Sequence, residues 1–114
     1  MINKVILVGN VGQDPEYKSF NNDAGDGVIN FSLATSEKWT KDGEKKEATE
    51  WHNCKAYGKL SLIIQEWVKK GQLLYVEGRV KTRSWDQDGA KRYTTEIIVD
   101  QMQMLGKKSE SEFG

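Results

Sequence analysis

The stretch that decides the fold is residues 50–71, which have the sequence EWHNCKAYGKLSLIIQEWVKKG. The first eight residues alternate in polarity with a period of two, which is typical of a half-buried β-strand. The second part spaces large apolar residues as on one face of a helix: Leu60, Ile63, Ile64 and Trp67. Gly71 follows two lysines and is a helix stop signal. This stretch therefore predicts a strand over Glu50–Tyr57 and then a helix that packs Trp67 into the core.

Four more β-rich segments flank this stretch, over Lys4–Asn10, Val28–Thr35, Leu73–Trp85 and Tyr93–Val99. Turn-forming residues predict a loop over Asn21–Gly27 and hairpin turns at Asp42-Gly43 and within Asp86–Gly89. Gly78, inside a predicted strand, indicates a bulge or bend. The order of elements is three strands, one helix and two strands. This is the order of an all-β, five-stranded OB-fold barrel with its helix between strands 3 and 4, although a small α+β sandwich shares it.

The length of 114 residues suits one domain, and we assign the barrel to residues 1–106 and a disordered polar tail to residues 107–114. The sequence has neither an apolar run long enough for a membrane span nor a signal-peptide pattern. Cys54 is the only cysteine, which fits a reducing compartment. These features predict a cytoplasmic protein without a membrane partner.

Aromatic and basic residues alternate along two predicted strands. Because alternate residues of a strand share a face, one face carries Trp51, Asn53, Lys55 and Tyr57, and another carries Arg79, Lys81, Arg83 and Trp85. Flat rings between cations are what a surface needs to stack bases and hold phosphates. The net charge of zero counts against nucleic-acid binding, but what binds an anion is the local field. Single-stranded nucleic acid is the partner that this pattern favours.

Each of these aromatic residues also has a structural interpretation. Trp51 and Tyr57 could form cross-strand pairs or an oligomer interface. Trp39 precedes a charged loop and could anchor that loop. A purely structural oligomerisation barrel, with its aromatic residues buried between subunits, therefore remains an alternative function.

The only histidine, His52, lies two residues from Cys54. A zinc site needs three or four ligands, and no other cysteine or histidine exists. A nucleophile–base pair lacks a third group and a glycine-rich turn. We therefore expect His52 and Cys54 to be packed in the core or at an interface, and we expect neither metal, cofactor nor enzymatic activity.

Several motifs resemble the bacterial-type single-stranded DNA-binding protein family. They are Asn3-Lys4-Val5-Ile6-Leu7-Val8-Gly9-Asn10, Asp14-Pro15-Glu16, Leu33-Ala34-Thr35-Ser36-Glu37, Thr49-Glu50-Trp51-His52, Gly58-Lys59-Leu60, Val76-Glu77-Gly78, Tyr93-Thr94-Thr95-Glu96 and Met102-Gln103-Met104-Leu105-Gly106. They cover the chain from Asn3 to Gly106 in the order of the family. The resemblance implies a non-catalytic OB-fold that binds and protects single-stranded DNA in replication, recombination and repair. It also implies a homotetramer and association with the nucleoid; a primosome-type dimeric relative is the alternative.

The resemblance also implies residue roles. The stacking aromatic residues of the family correspond to Trp39, Trp51, Tyr57 and Trp85. The matching phosphate-binding positions are Lys4, Lys18, Lys59, Lys70, Lys81, Arg83 and Arg92, to which the strand faces add Lys55 and Arg79. His52 corresponds to a histidine of the family near the subunit interface.

Two features depart from the family pattern. The loop over Asn21–Gly27 is slightly longer and more acidic than usual. The sequence ends at Ser109-Glu110-Ser111-Glu112-Phe113-Gly114, without the long linker and the acidic proline-phenylalanine tip that recruits other proteins in the family. This puts the recruitment of replication and repair proteins in doubt, but not the binding of DNA.

Overall fold

A computed structural model describes residues 1–20 and 27–106 of the chain. Most of the predicted loop over Asn21–Gly27 and the whole of the predicted tail over residues 107–114 lie outside these ranges. The elements are β1 (Val5–Val11), β2 (Glu16–Ser19), β3 (Gly27–Lys41), β4 (Glu44–Tyr57), α1 (Gly58–Trp67), β5 (Leu73–Gln87) and β6 (Ala90–Leu105). Within the described ranges, no helix is long and apolar enough to cross a membrane.

Five of the strands form a closed barrel in the order β1-β5-β6-β4-β3, and β1 closes the ring by pairing with β3 at Asn10↔Ala34 and Val11↔Leu33. The barrel strands pair antiparallel except for a short parallel contact between β4 and β6. The helix follows the third barrel strand, β4, and precedes the fourth, β5. The predicted OB-fold barrel with its helix between strands 3 and 4 is confirmed.

The short strand β2 is an addition that the sequence did not predict. Its four residues, EYKS, pair with the start of β3, for example Lys18↔Val28. Only Tyr17 of this strand is half-buried. Such a short, polar edge strand has too little alternation to be recognised from its sequence.

The register shifts between Glu77 and Gly78, which confirms the predicted bulge. At Gly78 the backbone of β6 comes so close that an added Cβ would collide with the carbonyl group of Ile98. Glycine is needed here because any side chain would push the two strands apart.

Both hairpin turns occur where the sequence predicts them. Asp42-Gly43 joins β3 to β4, and Asp88-Gly89 joins β5 to β6. All four residues have positive φ, between 51° and 79°, as the tight two-residue turns of hairpins require. The strands next to these turns are longer than predicted, because residues 36–50 and 81–93 form projecting two-stranded arms that are exposed on both sides.

The helix buries only part of the predicted face, since Ile64 is in the core and Leu60 packs against it. Ser61, Ile64 and Val68 are at most 1% exposed, whereas Ile63 is 48% and Trp67 53% exposed. The prediction that Trp67 packs into the core is wrong. The small side chain of Ser61 lets this side of the helix approach the barrel, and its hydroxyl donates a hydrogen bond to the Gly58 carbonyl at 2.5 Å, so burial leaves no donor unsatisfied.

Candidate nucleic-acid interface

The outward face of β4 carries the predicted row of aromatic and polar residues. Trp51 and Tyr57 are 59% and 49% exposed, and Lys55 between them is half-buried. The alternate residues Cys54 and Ala56 are buried in the barrel. The predicted alternation of faces along this strand is therefore confirmed, and both rings present a large apolar surface to solvent.

Trp51 rests on the segment that follows β1. Its six-membered ring lies against the Cα of Gly12, where an ideal Cβ would be 3.0 Å from Cη2 and closer still to Cζ3. The Gly12 N–H donates a hydrogen bond to the Ser32 carbonyl oxygen at 3.0 Å, which holds this segment on β3. One edge of the ring is thus supported by backbone while more than half of the residue remains exposed.

The arm formed by β5 and β6 carries the second predicted row. Arg79, Lys81, Arg83 and Trp85 lie on one side of β5, opposite Ile98, Glu96, Thr94 and Arg92 of β6. The Arg83 guanidinium lies 5.5 Å from the centroid of the Trp85 ring, which is within reach of a cation–π interaction. Trp85 is 40% exposed, so this arm offers a ring and cations side by side.

A wide groove of about 860 Å³ lies between strand β2 and the arm formed by β5 and β6. Its lining residues are Gln13, Asp14, Glu16, Lys18, Asn30, Phe31, Ser32, Asn53, Cys54, Lys55, Arg83, Thr94 and Glu96. The groove brings together three of the predicted phosphate-binding residues: Lys18, Lys55 and Arg83. Trp51 and Tyr57 are the strand neighbours of Asn53 and Lys55 on the same face, so their rings border the groove.

Trp39 is separated from the other three rings. In the register of the hairpin it pairs with Lys46, and it extends from the side of the ribbon that carries Leu33, not from the side of Ala34 and Trp51. It contributes instead to a smaller depression of about 440 Å³, which is lined by Lys38, Trp39, Thr40, Lys45, Lys46 and Glu47. Trp39 is also part of strand β3, and the charged loop expected after it is a two-residue hairpin turn between β3 and β4.

Several predicted phosphate-binding cations are already paired with carboxylates. Lys4 lies 3.4 Å from Glu77, Arg79 2.7 Å from Asp100, Lys55 3.1 Å from Glu96, and Arg83 3.4 Å from Glu96. The others form no ion pair within residues 1–20 and 27–106 and are exposed: Lys18, Lys59, Lys70, Lys81 and Arg92. The Lys70 backbone N–H also donates a hydrogen bond to Asp14 Oδ1 at 2.8 Å, which ties the end of the helix to the groove.

Glu96 is a residue of the site that the sequence pattern does not reveal. It is only 6% exposed, and its partners Lys55 and Arg83 are 41 and 13 positions away in the sequence. The predicted hairpin between β5 and β6 is enough to place Glu96 opposite Lys81. Its position beside Lys55 depends on the pairing of β4 with β6, which closes the barrel and cannot be read from the sequence.

His52 and Cys54 are packed, as expected. The His52 Nε2 atom lies 2.9 Å from Thr35 Oγ1, and the Cys54 thiol donates a weak hydrogen bond to the His52 carbonyl at 3.8 Å. Burial raises the pKa of the Cys54 thiol to about 12, so that the thiolate needed for nucleophilic attack does not form at neutral pH. The described part of the chain contains no cluster of metal-binding side chains.

Comparisons with known proteins agree with this geometry. The model of the single-strand binding protein family matches residues 2–105. The structure of a Plasmodium falciparum protein described as an SSB complex with ssDNA is similar at 35% identity and a TM-score of 0.82, over 93% of this chain and 96% of that chain. A deletion mutant of the single-stranded DNA binding protein from Thermus aquaticus is similar at 25% identity and a TM-score of 0.78, over 95% of this chain and 52% of that chain. A match over nearly the whole barrel, together with its exposed aromatic and basic groove, places this chain in the single-strand binding protein family.

Proposed function

We propose that this protein binds single-stranded DNA without catalysis and with little dependence on sequence. The observation that carries the proposal is the face that borders the groove, where the exposed rings of Trp51 and Tyr57 alternate with Asn53 and Lys55. Bases stack on such rings whatever their identity, because every base has an aromatic face. Because paired bases hide these faces, we expect the protein to prefer single strands over duplex DNA.

Stacking on Trp51, Tyr57 and Trp85 is supported by their position on the sides of β4 and β5 that border the groove. Trp39 belongs to the same proposal, but its place on the other side of the β3–β4 ribbon requires the strand to pass around that arm. Phosphates are held by Lys18, Lys59, Lys70, Lys81 and Arg92, which form no ion pairs in the described chain. The paired cations Lys4, Lys55, Arg79 and Arg83 contribute less, since each must leave a carboxylate first.

Titration with oligo-dT at low salt, followed by tryptophan emission, tests this proposal. Stacked rings lose emission, so we expect quenching that weakens as salt rises, because binding releases counterions from the phosphates. Trp51→Ala should weaken binding by about 1–3 kcal/mol and leave thermal unfolding unchanged. An absence of quenching at low salt would contradict base stacking, whereas quenching that persists unchanged in high salt would contradict the phosphate contacts.

The functional unit that we propose is a homotetramer. Support comes from an apolar strip on the outer side of β1, where Ile6 and Val8 are 55% and 49% exposed and lie opposite Glu77 and Tyr75 of β5. Exposed apolar strips on a sheet are typical of protein interfaces. Light scattering of the purified protein distinguishes a tetramer from the dimer of a primosome-type relative, and His52→Ala should shift the mass towards smaller species if His52 lies at an interface. A purely structural barrel would show the same mass but no quenching by oligo-dT.

We further propose that the protein acts on cytoplasmic, nucleoid-associated single strands during replication, recombination and repair.

A further inference from the structure

The groove has a buried carboxylate on its floor. Glu96 is only 6% exposed, and it lines the groove together with its two cationic partners, Lys55 and Arg83. A surface that only attracted phosphates would gain nothing from an acid at this position, because a negative charge lowers the local potential that attracts them. The carboxylate therefore either serves only as a structural ion-pair partner of Lys55 and Arg83, or it helps the groove to distinguish bases from phosphates.

Glu96 cancels one of the two positive charges on the floor. The Glu96 Oε2 atom is 3.1 Å from Lys55 Nζ and 3.4 Å from Arg83 Nη2, so one negative charge is shared between two positive charges. Two further carboxylates, Asp14 and Glu16, also line the groove. Its neutral polar lining consists of amide and hydroxyl groups from Gln13, Asn30, Ser32, Asn53 and Thr94. Such groups donate and accept hydrogen bonds to the edges of bases as well as to water, and they carry no net charge.

Three cations that are unpaired among the described residues lie at the sides of the groove. Lys18 is on the exposed edge strand β2 at one side of the groove, and Lys81 and Arg92 are on the exposed arm at the other side. Aromatic rings border the same floor at Trp51 and Tyr57. Unpaired cations thus lie at the rim, where Asp14 and Glu16 are also exposed. The floor combines neutral polar groups with the buried acid and its two paired cations, and the rings lie beside it.

We propose that Glu96 determines which part of the strand enters the groove: it excludes phosphates from the floor and leaves the floor to the bases. The inference rests on the proposed function and deepens it, because it assigns to one carboxylate the preference for a strand with bases over a bare chain of phosphates. Because Glu96 cancels one of the two positive charges of Lys55 and Arg83, it weakens the attraction that would draw phosphates inwards. The bases then face the floor and stack on the rings, and the phosphates lie along the rim.

The test compares two ligands of equal length and charge, oligo-dT and an oligodeoxynucleotide made only of abasic residues. In Glu96→Gln the side chain keeps its shape and loses its charge, so the floor gains one net positive charge. We expect the affinity for the abasic strand to rise about fivefold or more at low salt, because a phosphate can now approach the floor. The plot of log K against log salt concentration for the abasic strand should become steeper by about 0.7 for each additional phosphate that the protein contacts. The affinity for oligo-dT should change by less than about twofold.

Asp100→Asn is the matched control. Asp100 also pairs with a predicted phosphate-binding residue, Arg79, at 2.7 Å, but both are exposed and neither lines the groove. The substitution changes the net charge by the same amount, so the ratio of the two affinities should stay as in the unsubstituted protein. Arg83→Gln tests the opposite sign: it makes the floor neutral, and the abasic strand should lose more affinity than oligo-dT.

Three results would overturn the inference. Equal changes in the two affinities with Glu96→Gln would show that the carboxylate does not discriminate between bases and phosphates. The same change in the ratio with Asp100→Asn would reduce the effect to overall charge. If Glu96→Gln does not fold because Lys55 loses its partner, Arg83→Gln is the deciding variant, since the Arg83 side chain is 56% exposed. Equal losses of affinity for oligo-dT and for the abasic strand in Arg83→Gln would then overturn the inference. Failure of the unsubstituted protein to bind oligo-dT would instead refute the proposed function itself.

Discussion

A methyl group at residue 12 tests whether the position of the Trp51 ring controls binding. Gly12→Ala places a Cβ 3.0 Å from Cη2 and 3.4 Å from Cε3 of that ring, and closer still to Cζ3. Non-bonded carbon atoms pack at about 3.5–4.0 Å, so the ring must retreat by about 1 Å. The backbone cannot move away in its place without breaking the hydrogen bond from the Gly12 N–H to the Ser32 carbonyl at 3.0 Å.

The magnitude follows from what the ring contributes. A stacked base is worth about 1–3 kcal/mol, so Trp51→Ala should weaken oligo-dT binding by about 5- to 150-fold. Gly12→Ala displaces the ring but keeps it, and we expect a loss of at least about threefold that stays below the loss in Trp51→Ala. Folding should not suffer, because replacing glycine by alanine without backbone strain reduces the entropy of the unfolded chain.

The assay is a double-mutant cycle with oligo-dT affinity and thermal unfolding as its two readouts. If Gly12→Ala acts through the ring, its effect on affinity should disappear in the Trp51→Ala background, since no ring remains to be displaced. An affinity of Gly12→Ala that matches the unsubstituted protein would refute the reasoning. So would a loss of the same size in both backgrounds, because it would show that residue 12 acts on DNA directly.

Three further predictions concern other parts of the molecule. Trp67→Phe should leave oligo-dT affinity within about twofold and increase the fraction of emission that DNA quenches, because it removes a ring that is 53% exposed outside the groove lining; a loss like that of Trp51→Ala would place the helix on the DNA path. Gly78→Ala should lower the free energy of unfolding by about 1–3 kcal/mol, measured in urea, because the new Cβ meets the backbone carbonyl of Ile98. The native state keeps the Cys54 proton up to a pKa of about 12, against 9.0 for an ordinary thiol, so its contribution to stability should be complete below pH 9 and decline as the pH rises towards 12. Alkylation of Cys54 at pH 8 should accordingly follow unfolding, and rapid alkylation of the native protein would contradict this.

Much of the barrel could be predicted because its signals are local. The Asp42-Gly43 and Asp88-Gly89 pairs adopt the positive φ that tight hairpins need, and the alternation along β4 places Trp51 and Tyr57 outside and Cys54 inside. The strand ends could not be predicted in the same way. Residues 36–50 form a polar arm exposed on both sides, and a polar arm lacks the buried side on which strand prediction depends.

The helix shows how a local rule can choose the wrong face. The expected stripe included Ile63, Ile64 and Trp67, but of these three only Ile64 is buried. The barrel buries Ser61 and Val68 beside it. The close approach of the helix depends on the small volume of Ser61 and on the hydrogen bond that its hydroxyl donates to Gly58. Neither the small volume of Ser61 nor its hydrogen bond enters a prediction based on apolar spacing. The orientation of the helix on the barrel therefore depends on tertiary packing.

Some features of the candidate site follow from local sequence, and others depend on contacts between residues that are distant in the sequence. Which side of a strand a ring or a cation occupies follows from counting residues, and for Trp51, Tyr57 and Arg83 the counting was sufficient. Whether a cation is available to a phosphate depends on carboxylates brought to it by the barrel register, as Glu96 is brought to Lys55 and Arg83. Of the predicted phosphate-binding residues, Lys55 and Arg83 are paired at the floor of the groove. Lys18, Lys81 and Arg92, at its sides, are unpaired within the described part of the chain. This division gives the groove an orientation, rim for phosphates and floor for bases, which a list of basic and aromatic residues does not contain.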